Sequence, residues 1–220
     1  LSDINFTAKS GETTAFIGST GSGKSTLISL IPRLYDATEG EILLDGKNIK
    51  NVDIHDLRNR IGFVPQKGIL FSGTIASNLK LGNENATEDV LKKSAKIAQS
   101  EDFIEQKDKK FESSISQGGT NVSGGQKQRL SIARAIVADP EIYIFDDSFS
   151  ALDFRTDSNL RAALNKEIKE ATILIVAQRV STIMTADQIV VLDNGKIVGK
   201  GTHKELLKKF EKVDKALAKN

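Results

Sequence analysis

The chain has 220 residues, 39% hydrophobic and 27% charged, with 17 Gly, 3 Pro and no Cys or Trp, which fits one large domain or two small ones with a real core. A net charge of +2 lacks the basic excess of a nucleic-acid binder, and the absence of Cys excludes a disulfide scaffold, thiolate zinc and a cysteine nucleophile. The longest run free of Asp, Glu, Lys and Arg, Ser113–Gln126, is 14 mostly polar residues, whereas a membrane-spanning helix needs about 20 mainly apolar ones.

Leu1–Phe6 alternates like a strand and has no signal-peptide character, so it predicts a cut inside a larger protein. The turn Lys9-Ser10-Gly11-Glu12 leads to a second predicted strand at Thr13–Ile17. Gly18–Gly23 is a glycine-rich loop. Leu27, Ile28, Ile31 and Leu34 then form a helical stripe over Lys24–Leu34. Asp45-Gly46 predicts a hairpin between Glu41–Leu44 and Asn48–Lys50, because such a turn needs positive φ. Ile61–Val64 reads as a short strand stopped by Pro65.

From Thr74 to Ala138 the pattern turns helical. Thr87–Ala98 opens close to a capping box, and Gly124–Ala138 carries Leu130, Ala133, Ile136 and Val137 on one face. Ile142–Phe145, Thr172–Val176 and Gln188–Leu192 are short apolar strands separated by helical stretches, the first marked by Leu160, Ala163, Leu164 and Ile168. That alternation predicts an α/β fold with a mostly parallel sheet, flanking helices and ligands at the strands' carboxyl ends. The lysine-rich Lys204–Lys219 keeps Leu206, Phe210, Val213 and Leu217, the pattern of an amphipathic helix.

Gly18-Ser19-Thr20-Gly21-Ser22-Gly23-Lys24-Ser25 matches Gly-x-x-x-x-Gly-Lys-Ser/Thr without a mismatch. Its glycines let successive N–H groups face phosphate oxygens at the start of a helix. Lys24 then reaches the β and γ phosphates, Ser25 ligates Mg²⁺, and Thr26 completes the nucleotide-binding set. Ile142–Phe145 ends in Asp146, placed at the sheet edge to hold Mg²⁺ through its water shell. A nucleotide with Mg²⁺ is the cofactor this pair predicts.

Asn121-Val122-Ser123-Gly124-Gly125-Gln126-Lys127-Gln128-Arg129 is a second Ser/Gly-rich nest capping a second helix. This run resembles the signature motif of ATP-binding cassette ATPases, and the resemblance extends over essentially the whole chain. It takes in Gln66 after Phe63-Val64-Pro65, Asp146, Ser150-Ala151-Leu152-Asp153, Gly195-Lys196-Ile197-Val198 and Gly201-Thr202-His203. The resemblance implies a P-loop NTPase fold with a RecA-like core, an antiparallel β element and an inserted helical subdomain at roughly residues 70–138. It also implies a head-to-tail dimer with a second cassette, in which Ser123, Gly124, Gly125 and Gln126 contact nucleotide held by the partner. Gln66 joins Ser25 and Asp146 as a metal contact, and Asp153 lines the dimer interface or simply caps a helix. Leu70-Phe71-Ser72-Gly73-Thr74-Ile75 looks like the exporter branch, whose cassettes sit under a transmembrane domain at the cytoplasmic face of the cell membrane.

Three positions depart from the family pattern. Active members carry Glu after Asp146; here it is Asp147, shorter by one methylene. Gln178 stands where hydrolytic members have a switch His, and an amide cannot exchange a net proton near neutral pH. Ser116-Gln117-Gly118-Gly119-Thr120 lacks the acidic run common in homodimeric exporters. With Asp147, Gln178 and Gln66 as its catalytic set, the chain resembles the degenerate-site subunit of heterodimeric multidrug exporters. The alternatives are a homodimeric, fully hydrolytic exporter domain, a soluble cassette ATPase of DNA repair or translation, and a regulatory nucleotide-binding module. Family members also stack an aromatic residue on adenine from a strand before Leu1, so a longer chain is expected to bind nucleotide more tightly. His55 and His203 read as surface residues, and Lys127, Arg129 and Arg134 as a solvated helix face.

Overall fold

Ile142-Tyr143-Ile144-Phe145 has no polar alternation, and a strand of that kind is buried on both faces. In the computed structural model, which describes residues 1–209, it lies inside a six-stranded sheet. The first half of the chain runs β1 (Thr13–Ile17), α1 (Lys24–Leu30), β2 (Leu43–Leu44), β3 (Lys47–Asn48), α2 (Ile54–Asn59) and β4 (Ile61–Val64). The helix-rich stretch holds β5 (Gly73–Thr74), α3 (Ile75–Lys80), α4 (Glu88–Ile97), α5 (Glu101–Glu105), β6 (Ser114–Ile115) and α6 (Gly124–Val137). The remainder is β7 (Ile142–Asp146), α7 (Phe154–Glu167), β8 (Thr172–Val176), α8 (Val180–Ile183), β9 (Gln188–Asp193) and β10 (Lys196–Gly201).

The sheet order is β10-β9-β1-β8-β7-β4, parallel throughout except for the antiparallel β9–β10 pair. Alternate residues supply its two cores. Phe16, Ile144, Leu174 and Val190 pack with Leu27 and Ile28 of α1. Ala15, Tyr143, Phe145, Ile175 and Ile189 face the other way, toward Leu130 of α6, Leu91 of α4 and Leu160 of α7. Register decides which residues meet at one end of the sheet. Phe16 and Asp146 both pair with Val176, and Val64 pairs with Phe145. The residues that follow β1, β4, β7 and β8 therefore emerge together at one carboxyl edge.

Three sequence expectations change. Leu1–Phe6 joins no ladder. Its alternation serves packing, with Phe6 edge-on to Phe16 at 5.3 Å, while the Asn5 and Thr7 carbonyls accept from Lys200 Nζ and Gln188 Nε2. α1 stops at Leu30 rather than Leu34, since Pro32 has no N–H to continue the ladder; Leu34 is consequently exposed. The expected hairpin forms with strands of two residues each. Residues 203–209 are helical and bury Leu206, whereas Phe210, Val213 and Leu217 lie outside the described residues.

Candidate active site

The glycine-rich loop leaves β1 and turns into α1 through Gly23, whose φ of 99° a side chain rarely adopts. At Gly18 the constraint is space, because a Cβ there would lie 2.1 Å from Leu192 O of β9. The loop is also held from the β9–β10 turn, where the Gly195 N–H donates to Ser22 O at 3.1 Å. Lys24 Nζ arches over the loop, donating to Gly18 O and Ser19 O at 2.8 Å each and to Ser22 Oγ at 3.3 Å. Ser19, Thr20 and Gly21 are exposed at the loop's crest, as is Thr26 on the first turn of α1.

From α1, the Ser25 hydroxyl donates to Asp146 Oδ1 at 2.9 Å, so two oxygen donors meet at the end of β7. Burial raises the Asp146 carboxyl above its ordinary range, opposed by the Ser25 hydrogen bond; the Asp147 charge adds a smaller rise and Lys24 opposes it. Asp147 is only 6% exposed and sits at φ 48°, with its N–H bound to Val176 O at 3.0 Å. One of its oxygens, Oδ2, accepts from Gln66 Nε2 at 3.0 Å and from Gln178 Nε2 at 2.6 Å. A buried carboxylate is thus roofed by two exposed amides from the ends of β4 and β8.

The second glycine cluster stands at the start of α6. Ser123 Oγ accepts from Gln126 N–H at 3.2 Å while Gln126 Oε1 accepts from Ser123 N–H at 3.1 Å, a reciprocal capping box. Ser123 and Gly124 are exposed, and nothing lies within 4 Å of a Cβ added at Gly124. Among the described residues, neither Ser123 nor Gln126 bonds to the phosphate loop. Asp153 caps α7, accepting from Thr156 N–H at 3.0 Å.

Residues 1–150 match the family described as ABC transporter. The chain belongs to the ABC transporter family. It is 49% identical over 210 residues to an uncharacterized ABC transporter ATP-binding protein of Mycobacterium bovis, covering 94% of this chain and 36% of the relative. It is 50% identical over 209 residues to a Staphylococcus aureus protein named for multidrug export as an ATP-binding/permease protein, covering 95% and 36%. Among solved structures, a bacterial Atm1-family ABC exporter with ATP bound superposes with a TM-score of 0.90 at 37% identity, covering 93% of this chain and 36% of that one. The ABC transporter domain is of exporter type, and it spans about a third of the length of these relatives.

Some residues of this ABC domain escaped the sequence reading. Ser148, fully buried, donates from Oγ to Val64 O at 2.9 Å and so ties the Asp147 turn to the segment carrying Gln66. Gln128, inside α6, bonds that same segment at Pro65 O and the Gly68 N–H. Asn194-Gly195, behind the phosphate loop, was readable as the Asn-Gly of a two-residue hairpin. The solvated face expected for Arg129 and Arg134 is corrected: Arg129 lies over the Phe103 ring and donates to Gln99 O, while Arg134 donates to Asn78 O at 2.8 Å. Their apolar stems bury while the guanidinium groups find carbonyls.

Proposed function

We propose that this ABC exporter domain binds ATP with Mg²⁺ at its phosphate loop but hydrolyses it slowly, and that its Ser123 end completes the ATP site of a partner cassette. The observation that carries the reading is the double donation of Gln66 and Gln178 to Asp147 Oδ2. Hydrolysis needs a group that orients a water and takes its proton. Here the carboxylate at that place is one methylene short, and its neighbour at 178 is an amide without a titratable proton. A misplacement on the order of 1 Å can cost about a hundredfold in rate.

The residues present suit the cofactors. Ser25 and Asp146 are adjacent oxygen donors, the kind a hard cation prefers, and Gln66, bonded to the neighbouring Asp147, would supply an amide oxygen. Mg²⁺ would neutralise phosphate charge there, and Lys24 would exchange its loop carbonyls for phosphate oxygens. Ser123, Gly124, Gly125 and Gln126 form a capped helix start, exposed at Ser123 and Gly124 and half-buried at Gly125 and Gln126, suited to phosphate carried by another chain.

The remaining readings extend to the longer protein. The S. aureus relative's name joins ATP-binding and permease parts, which supports a transmembrane domain on the same polypeptide and a place at the cytoplasmic face of the membrane. That name also supports drugs as cargo. Among the described residues, no helix is long and apolar enough to cross a membrane. The two departures at Asp147 and Gln178 favour a heterodimer over a homodimer. The test is ATP binding and phosphate release by the full-length protein, alone and with a competent partner. Tight Mg-ATP binding with slow release, accelerated by joint Asp147→Glu and Gln178→His changes, is expected. Brisk release by the unmodified protein alone overturns the reading.

A further inference from the structure

Gln128 is 1% exposed, yet it is polar and belongs to no capping arrangement. Both ends of its side-chain amide are used. Oε1 accepts from the Gly68 N–H at 2.7 Å, and Nε2 donates to Pro65 O at 3.0 Å. These two backbone groups bracket Gln66. The loop also touches the helix itself: a Cβ at Gly68 would lie 2.7 Å from Ser131 Oγ and 2.9 Å from Lys127 O, so only glycine allows this approach. Farther along the loop, buried Asn78 accepts from Phe71 N–H at 2.9 Å and donates to Phe71 O at 2.8 Å. Asn78 is in turn held by Arg134 of α6, through Nε to its carbonyl at 2.8 Å. The segment from Pro65 to Phe71 is therefore fastened to α6 directly at Pro65 and Gly68 and, at Phe71, through Asn78 of α3, while the Gln66 side chain reaches away to Asp147.

We propose that Gln128 is a positioning residue for Gln66, holding the backbone on either side of it against α6 so that the Gln66 amide is presented to the Asp146–Asp147 edge. A buried amide with both functions satisfied fixes its partners closely, because releasing either one strands a polar group out of water. The same helix carries Ser123 at its start, roughly 7 Å away along the axis. Gln66 and the surface offered to a partner thus ride on one rigid element. The inference rests on the reading of Gln66 as a contact for Mg-ATP given above.

The test measures how far Mg²⁺ raises ATP affinity in the full-length protein, comparing excess Mg²⁺ with excess chelator, for the parent, Gln66→Ala, Gln128→Leu and the double variant. Each single change is expected to cut the Mg²⁺ enhancement roughly tenfold, as loss of a group that orients a metal contact does. The double variant is expected to lose no more than Gln66→Ala alone, because one residue acts through the other. Without nucleotide, the Gly68 amide is expected to exchange hydrogen faster in Gln128→Leu than in the parent. Gly68→Ala, which forces the loop off the helix from the other side, should reproduce the Gln128→Leu loss and serves if that variant does not fold. Losses that multiply, or a Gln128→Leu protein with parental enhancement, overturn the proposal. A Gln66→Ala protein with parental enhancement overturns the underlying reading of Gln66 as well, so the two failures show in different variants.

Discussion

The Gln178 side-chain amide donates to Asp147 Oδ2 at 2.6 Å, on the same oxygen that accepts from Gln66 at 3.0 Å. An imidazole at position 178 would bring a group able to exchange a proton, which the amide cannot do. Gln178→His alone is expected to raise phosphate release by the full-length protein by roughly tenfold or more. A steady-state release assay checks this, and an unchanged rate would count against the reading of position 178.

Asp147 sits at φ 48°, a left-handed conformation that Asp tolerates better than most side chains. Lengthening it to Glu restores reach but places a less suited residue on that backbone. Asp147→Glu is therefore expected to lower unfolding free energy by about 1 kcal/mol, while Asp147→Asn stays closer to the parent. Chemical denaturation of the three proteins without nucleotide measures the difference.

Burial holds the Asp146 proton more tightly in the fold than in the unfolded chain, whose carboxyl releases it near 3.8. The stability this group contributes is present below that value and is lost as pH rises through the higher folded value. Asp146→Asn is thus expected to melt at a higher temperature than the parent without nucleotide at pH 7, and with a flatter pH dependence above the ordinary carboxylate range. It should also lose the extra thermal protection that Mg²⁺ adds to ATP. Melting curves across pH, with and without Mg-ATP, test both halves.

Ser123 combines a helix cap with an exposed hydroxyl. Ser123→Ala removes the cap and is expected to cost about 1 kcal/mol of stability. Ser123→Asp keeps a capping oxygen but brings a negative charge to a surface proposed to meet phosphate. It is expected to fold as well as the parent yet fail to form an ATP-dependent dimer with a competent partner. Denaturation and size-exclusion chromatography in ATP separate the two effects.

Legibility followed contiguity. The glycine-rich loop after β1, the strand ending in Asp146 and the helix start at Ser123-Gly124-Gly125-Gln126 are each encoded within a few consecutive residues, and local pattern is enough to place them in the fold. Strand alternation with helices likewise made the parallel sheet readable, though Leu1–Phe6 shows that period-two patterning also suits a segment packed without a ladder. Gln128 and Ser148 were invisible because their partners are main-chain groups 60 and 84 positions away in the sequence. A composition-based reading of Arg129 and Arg134 failed for a related reason. It counts charges but not the Asn78 carbonyl of α3 or the Phe103 ring of α5 within reach.

The Asn194-Gly195 turn is a hairpin tip, and hairpin tips are ordinarily where a chain accepts extra residues at least cost. Here the tip's own N–H reaches Ser22 O, and the strand before it sits hard against Gly18. An insertion at that turn would pull a prop out from behind the phosphate loop. For this domain the surface hairpin is expected to be intolerant of added length, and damage to it would register as lost nucleotide affinity in a protein whose glycine-rich loop is intact in sequence.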